Sequence, residues 1–548
     1  MSRGRALAAD HGRLVEFPSI PLNHGQGAGR AFAEARAQAV AEDVRHETGF
    51  AVDHLEGTLR AGRHALTTAV AEFFVNPDDV PQGHAAMVPY AGAAPYDGAH
   101  RPVGAGMTGF KRRLTLFDLT MIAIGGSIGS GIFLTPATIA RDVGSPWLIV
   151  AVWVLGGLIT LAGALTFSEA AALLPEAGGE YVYLTRAYGG LVGFLFGWAY
   201  FVVVNAGGLG ALAVAFATYL GFFIPLGPAA AKIVAVVSLL ALSGINVVGV
   251  KAGAMFSNVF TVLKLLGLAG LVAVGLALGS SGTTDFSLSL AGAPSGAWSA
   301  LALGMVGVLW SYGGWQHATY ASAEIKNPQR TLPLAMILGT AAVTTIYLLA
   351  NLAYMFMLTP AQMAASPRVA AEAVSTVLGP VGGSLISLAI VISTFGVIGI
   401  YTLTAPRIYY AMAADGVFFR KVAEIHPRFG TPAFSIMFQS MWAVVLVLFW
   451  GTFENLISYV VFTDWIFFAL AGASVIVLRR KMPGAPRPYR VPGYPWVPLF
   501  FVGTSAWFVA MTLVSKPAQA WAGLGFLGLG VPAYYFWKRT STQERHER

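Results

Sequence analysis

Long apolar stretches separated by short polar or basic connections recur along the chain from Phe117 to Trp537. A bilayer core about 30 Å thick is crossed by roughly 20 helical residues rising about 1.5 Å each. Twelve stretches meet that length: Phe117 to Ala140, Pro146 to Leu174, Gly190 to Phe223, Ala229 to Val248, Met255 to Gly279, Trp298 to Ala323, Pro333 to Leu358, Gly379 to Tyr410, Ala433 to Trp450, Asn455 to Val477, Pro495 to Val514 and Ala520 to Trp537. The pattern predicts an all-α membrane protein of twelve transmembrane helices. An even number puts both ends of the twelve-helix region on one side.

Two of these stretches are interrupted by residues that suit a helix poorly. The first contains GGSIGSGIF, Gly125 to Phe133, with four glycines in seven residues at mid-depth. Each weakens a helix by about 1 kcal/mol relative to alanine. The sixth contains WSYGGWQ, Trp310 to Gln316. Gly125 and Gly129 also form a GxxxG pattern, which brings two helix backbones close. Paired interruptions at corresponding positions of two five-helix halves favour discontinuous helices whose freed N–H and C=O groups line a polar cavity at the midplane. Such a cavity suits a zwitterion, because half-helix N-termini face a carboxylate and half-helix C-termini an ammonium group.

Composition supports this reading: 56% of residues are hydrophobic and 11% charged, against about 25% charged in a soluble domain. Lys and Arg collect on one side, in the connections holding Lys111, Arg112, Arg113, Arg186, Lys251, Lys326, Arg330, Arg420, Lys421, Arg428, Arg479, Arg480, Lys481, Arg487 and Arg490 and in the tail Lys538 and Arg539. The other side holds Arg141, Lys232, Arg368 and Lys516. For a protein of the cell (inner) membrane, the positive-inside bias predicts both termini cytoplasmic. The net charge of +8 is largely this topology signal, so no nucleic-acid partner is expected. With no cysteine, the chain forms no disulfide to a partner subunit and has no thiolate metal site or Cys nucleophile.

Residues 1–106 differ in character, with nine Arg, no Lys, twelve Asp plus Glu and seven of the ten histidines. These histidines are too scattered for metal-ligand spacing, and no metal or cofactor is expected. The segment reads as a disordered or weakly helical extension, with weak helices at 31–44 and 64–74. A sharper reading starts translation at Met107, leaving a twelve-helix domain of residues 107–548.

The sequence around the interruptions resembles the amino acid-polyamine-organocation (APC) superfamily, in its branch of bacterial permeases similar to L-type amino acid transporters. The resemblance spans roughly Thr108 to Lys538. It rests on KRRLT leading to GSIGSGIFLTP in the first helix, PEAGGEYVYLTRAYG from Pro175 to Gly189, SYGGW followed by AEIKNPQRTLP ending at Pro333, RIYYAMAADG from Arg407 to Gly416, and HPRFGTP. The resemblance implies a five-plus-five inverted repeat like that of the leucine transporter. Its halves are 107–280 and 298–480, helices 1 and 6 are discontinuous, and two extra C-terminal helices occupy 493–538. It also places the substrate backbone against Ser127, Gly129, Ser130 and Gly131 in helix 1 and against Trp310, Ser311 and Gly313 in helix 6, with Trp310 as an outer gate. Ala323-Glu324 departs from relatives with two adjacent glutamates.

Ionisable residues inside a span cost about 2.5–3.5 kcal/mol and need a partner or a task. Lys264, about ten residues into the fifth stretch, either snorkels to the surface or, as the resemblance implies, replaces a bound cation with its ammonium and exchanges a proton. Asp464 is a structural, gating or proton-handling carboxylate. Glu324, beside Lys326 and Arg330, suits an inner-gate ion pair, whereas Glu169 suits a solvated or salt-bridged surface. Gln316 and His317 either touch substrate or pack, and Asn205 either lines the cavity or bonds a neighbouring helix.

The leading function is secondary active transport of amino acids, with neutral ones favoured because no carboxylate faces the expected pocket. Transport would proceed by alternating access, as proton symport or amino acid exchange. No GxxxxGK[ST] nucleotide-binding motif is present. An amino acid sensor without net transport is an alternative. A polytopic membrane enzyme is weaker, since His317, His426 and His546 are too far apart to converge.

Overall fold

The computed structural model describes residues 110, 112–279, 297–450, 453–515 and 517–546. The expectations for residues 1–106, like those for Lys111 and Lys516, lie outside the described residues. Among the described residues there is no strand, only one isolated parallel bridge between Leu114 and Ile325.

All twelve spans are present as helices. The first runs Leu116–Ser127 and Gly131–Val143, followed by Pro146–Leu173, Gly190–Leu220, Pro228–Val248 and Val250–Leu278. The sixth runs Ala297–Tyr312 and His317–Tyr320, followed by Pro328–Met357, Val369–Thr404, Ala433–Trp450, Phe453–Lys481, Trp496–Ser515 and Pro517–His546. Among the described residues nine are long and apolar enough to cross a membrane, while the sixth and ninth offer the shorter apolar helices Ala300–Tyr312 and Ala433–Phe449. The sixth is short because its backbone leaves the helix at Gly313.

Local chemistry fixes several ends. Thr115 and Asp118 close a capping box at the start of the first span. Pro146, Pro228 and Pro328 occupy first-turn positions where a missing N–H costs nothing. The eighth span was expected to begin at Gly379. The helix already runs from Val369, but Gly379 kinks it with φ of 67°, so a short helix precedes the span proper.

Packing reveals two groups. The first, second, sixth and seventh spans pack together, and the third, fourth, eighth and ninth form a second group. The fifth span rests on the eighth and seventh, while the tenth rests on the third and second. Adding five to a span number in one half gives its counterpart in the other, so these contacts map onto each other as a five-plus-five repeat requires. The eleventh and twelfth stand outside this correspondence, the eleventh against the second and tenth. The first and third spans lie at the centre, 72% and 78% buried over their most apolar stretch, against 28% for the fifth and eleventh, which present apolar surface to lipid.

Candidate functional site

The first span stops at Ser127 because Ile128, at ψ of 86°, leaves the helical region, and the Gly129 N–H turns back to the Ser127 carbonyl at 2.9 Å. The second half-helix starts at Gly131 with its first N–H groups outside any intrahelical bond. In the sixth span Gly313, Gly314, Trp315 and Gln316 form a turn. Gly314 has φ of 110°, a conformation glycine alone adopts readily. The Gln316 side chain accepts the Gly314 N–H at 2.8 Å, so this residue braces the break.

Gly126, Ser127, Gly129, Ser130, Gly131, Trp310 and Gly313 line a cavity between the breaks, completed by Leu212 of the third span and Val397 and Tyr401 of the eighth. The space is partly open, with about 210 Å³ of empty volume including open solvent. No lining residue carries a charge. Ser130 Oγ is buried and has no hydrogen-bond partner among the described residues. Of the seven residues expected against a substrate, six line this space and Ser311 does not. Ser311 Oγ lies 2.8 Å from Thr135 Oγ1 and donates to the Gly307 carbonyl at 2.8 Å, propping the second half-helix against the sixth span.

The interruption reading holds, whereas the GxxxG reading of two backbones brought close does not, because Gly125 and Gly129 both face side chains. A Cβ on Gly125 would lie 2.2 Å from Thr261 Oγ1, so that glycine permits close packing. At Gly129 the nearest atoms would be Leu212 and Val397 side-chain carbons at 3.4 and 3.5 Å, so it belongs to the cavity wall.

Lys264 does not snorkel. The fifth helix starts at Val250, placing Lys264 fourteen residues along it, or roughly 21 Å. Its buried ammonium donates to the Gly125 carbonyl at 2.9 Å and the Ile128 carbonyl at 2.8 Å. It thus occupies the C-terminal end of the first half-helix, where freed carbonyls favour a cation.

Tyr347 of the seventh span was not singled out by sequence. Its hydroxyl lies 2.8 Å from both the Ser127 and the Ser311 carbonyls, bridging the two breaks. The seventh stretch holds two tyrosines, Tyr347 and Tyr354, and nothing in an apolar stretch marks either for this role. A widened turn of π-helix at Tyr200–Val204 was also unforeseen; the Val202 carbonyl it loosens accepts from Trp442 Nε1 at 3.0 Å.

Other polar residues resolve into specific partners. Glu324 pairs with Arg407 at 2.8 Å, both nearly fully buried, rather than with Lys326 or Arg330. Its backbone carbonyl accepts from the Arg113 and Leu114 N–H groups, tying the entry to the first span to the exit from the sixth. Glu169 is held by Arg479 through both oxygens, by Arg487 and by the Val491 N–H. Asn205 donates to Gln439 at 2.9 Å and does not line the cavity. His317 packs face to face on Tyr401, with centroids 4.0 Å apart. Asp464 is buried, and its Oδ1 has no hydrogen-bond partner among the described residues.

Residues 114–531 match the family described as amino acid permease. The serine/threonine exchanger SteT of Bacillus subtilis is 32% identical over 437 residues, covering 79% of this chain and 98% of that protein. The human b(0,+)-type amino acid transporter 1 is 31% identical over 415 residues, 75% of this chain and 84% of its own. The human large neutral amino acids transporter small subunit 2 is 30% identical over 446 residues, 79% and 81% of the two chains.

Proposed function

We propose that this chain, which belongs to the amino acid permease family and transports amino acids across a membrane, works as an exchanger of small neutral amino acids. The observation that carries the proposal is the uncharged, narrow cavity at the two breaks, lined by backbone, glycine and a serine hydroxyl. The substrate carboxylate meets the N–H groups that open the second half-helix together with Ser130 Oγ. The ammonium meets carbonyls at the ends of the preceding half-helices, contributed by Ser127, Trp310 and Gly313. Gly129 and Gly131 let the substrate approach the backbone, and Trp310 closes over it.

Leu212, Val397 and Tyr401 receive the side chain, and the name of the Bacillus subtilis relative supports substrates of serine or threonine size. Lys264 serves as a fixed cation at the first break, so no inorganic ion has to enter and leave with the substrate. That supports exchange over ion-driven uptake. The Glu324–Arg407 pair latches the basic side, which we assign to the cytoplasm, with both termini there and the protein in the inner membrane.

Uptake of labelled serine, threonine and alanine into proteoliposomes, with and without internal amino acid and with and without a pH gradient, tests the reading. Uptake is expected only against internal amino acid. Equal uptake into empty vesicles under a pH gradient overturns exchange.

A further inference from the structure

Glu180 opens the short helix Glu180–Tyr188 between the second and third spans and is fully buried. Its Oε1 lies 2.9 Å from the Tyr320 hydroxyl of the sixth span. From there the contacts run on in series. The Tyr320 and Tyr200 hydroxyls are 3.0 Å apart, Tyr200 is 3.2 Å from His317 Nε2, and His317 Nδ1 is 2.5 Å from Thr404 Oγ1. Thr404 Oγ1 donates to the Ile400 carbonyl at 2.9 Å.

Each of these five contacts needs one hydrogen between its two heavy atoms. Tyr320, Tyr200 and Thr404 bring one each, a neutral imidazole brings one, and the Ile400 carbonyl brings none. The Thr404 hydrogen is committed to Ile400, so His317 donates from Nδ1 and Nε2 accepts from Tyr200. Tyr200 then accepts from Tyr320, whose only hydrogen is spent. The fifth hydrogen sits on Glu180, as a carboxylic acid donating to Tyr320. Alternatively it sits on His317 Nε2, with the three intervening hydrogen bonds reversed and Glu180 a carboxylate.

We propose that Glu180 and His317 are the two ends of a relay that holds one exchangeable proton between the connection after the second span and the wall of the substrate cavity. When the proton moves, the Glu180 O–H gives its hydrogen to Tyr320 as Tyr320 gives its own to Tyr200 and Tyr200 gives its own to His317. Carboxylic acid and imidazole become carboxylate and imidazolium, and each hydroxyl ends as it began. At the far end the charge arrives under Tyr401, which stacks on His317 and lines the cavity.

The surroundings favour retaining that proton. Glu180 is faced by Asp464 from the tenth span, Tyr320 from the sixth, Tyr200 from the third and Tyr183 from its own helix. No cation is among them. Among the described residues, Glu180 Oε2 and Asp464 Oδ1 are both buried without a hydrogen-bond partner. Burial lifts the Glu180 carboxyl well above the usual carboxylate range and the charge of Asp464 adds to this, against the opposing Tyr320 hydrogen bond.

Infrared spectra and histidine ¹⁵N spectra of the full chain in lipid bilayers test the relay without requiring transport, so failure of the exchange reading leaves this test standing. At neutral pH we expect either a protonated-carboxyl band that Glu180→Gln removes, or an imidazolium signature at His317. A neutral His317 together with no band lost in Glu180→Gln overturns the proposal. If Glu180→Gln does not fold, Tyr320→Phe cuts the relay at its first link. The pH response of the His317 signal is then expected to be lost, and an unchanged response overturns the proposal. In exchange assays Glu180→Gln is expected to flatten a pH profile that in the wild type changes at least threefold, and superimposable profiles count against the relay.

Discussion

Gly126 and Gly314, one in each interrupted span, lie back to back. A Cβ on Gly314 would sit 2.3 Å from the Gly126 carbonyl oxygen, and one on Gly126 would sit 2.7 Å from the Gly314 carbonyl oxygen. Both obstacles are backbone, so neither gives way. The two breaks meet because both positions lack a side chain.

Gly314→Ala combines this overlap with a positive φ, a conformation costing about 1–3 kcal/mol for other residues. It is expected to separate the breaks, abolishing exchange and lowering the melting temperature in detergent. A wild-type melt with full transport would contradict the contact.

Lys264→Ala leaves the Gly125 and Ile128 carbonyls without their ammonium, at about 1–3 kcal/mol for an unsatisfied buried group. Exchange is expected to fall to background while the protein still elutes as a folded species on size-exclusion chromatography. Retained exchange would show that the ammonium has no part in the cycle.

Tyr347→Phe removes the hydroxyl that faces the Ser127 and Ser311 carbonyls. A neutral hydrogen bond contributes about 0.5–1.5 kcal/mol, so KM for exchange is expected to rise roughly two- to tenfold with little change in protein yield. The check is a concentration series of labelled serine.

Breaking the Glu324–Arg407 pair from one side leaves a buried charge uncompensated, typically at about 3–5 kcal/mol. Glu324→Gln alone is therefore expected to melt well below the wild type, and the double variant Glu324→Gln with Arg407→Met to recover part of the loss. Melting curves of the two single variants and the double give the coupling directly.

Glu176 lies between the second and third spans, and burial raises its pKa to about 7, with Arg186 opposing and Asp415 adding. Its folded pKa exceeds the unfolded value of 4.5. The stability it lends is thus fully present below about pH 4.5 and is lost as pH rises through about 7. Glu176→Gln is expected to melt above the wild type at pH 8 and level with it at pH 4. Equal differences at both pH values would rule this out.

The span count and the interruptions at Gly125 to Gly131 and Trp310 to Gln316 were legible in the sequence, while the family resemblance pointed to six positions that line the cavity. Length, hydropathy and glycine clustering act on neighbouring residues, so a linear pattern records them. What the fold decided was which distant groups meet. Glu324 found Arg407 rather than the nearer Lys326, Ser311 turned to Thr135 instead of the cavity, and Tyr200, His317 and Tyr320 joined Glu180 in one series. Hydrogen bonds depend on ångström-scale approach between spans far apart in the chain, and apolar periodicity specifies a helix without fixing its rotation against its neighbours.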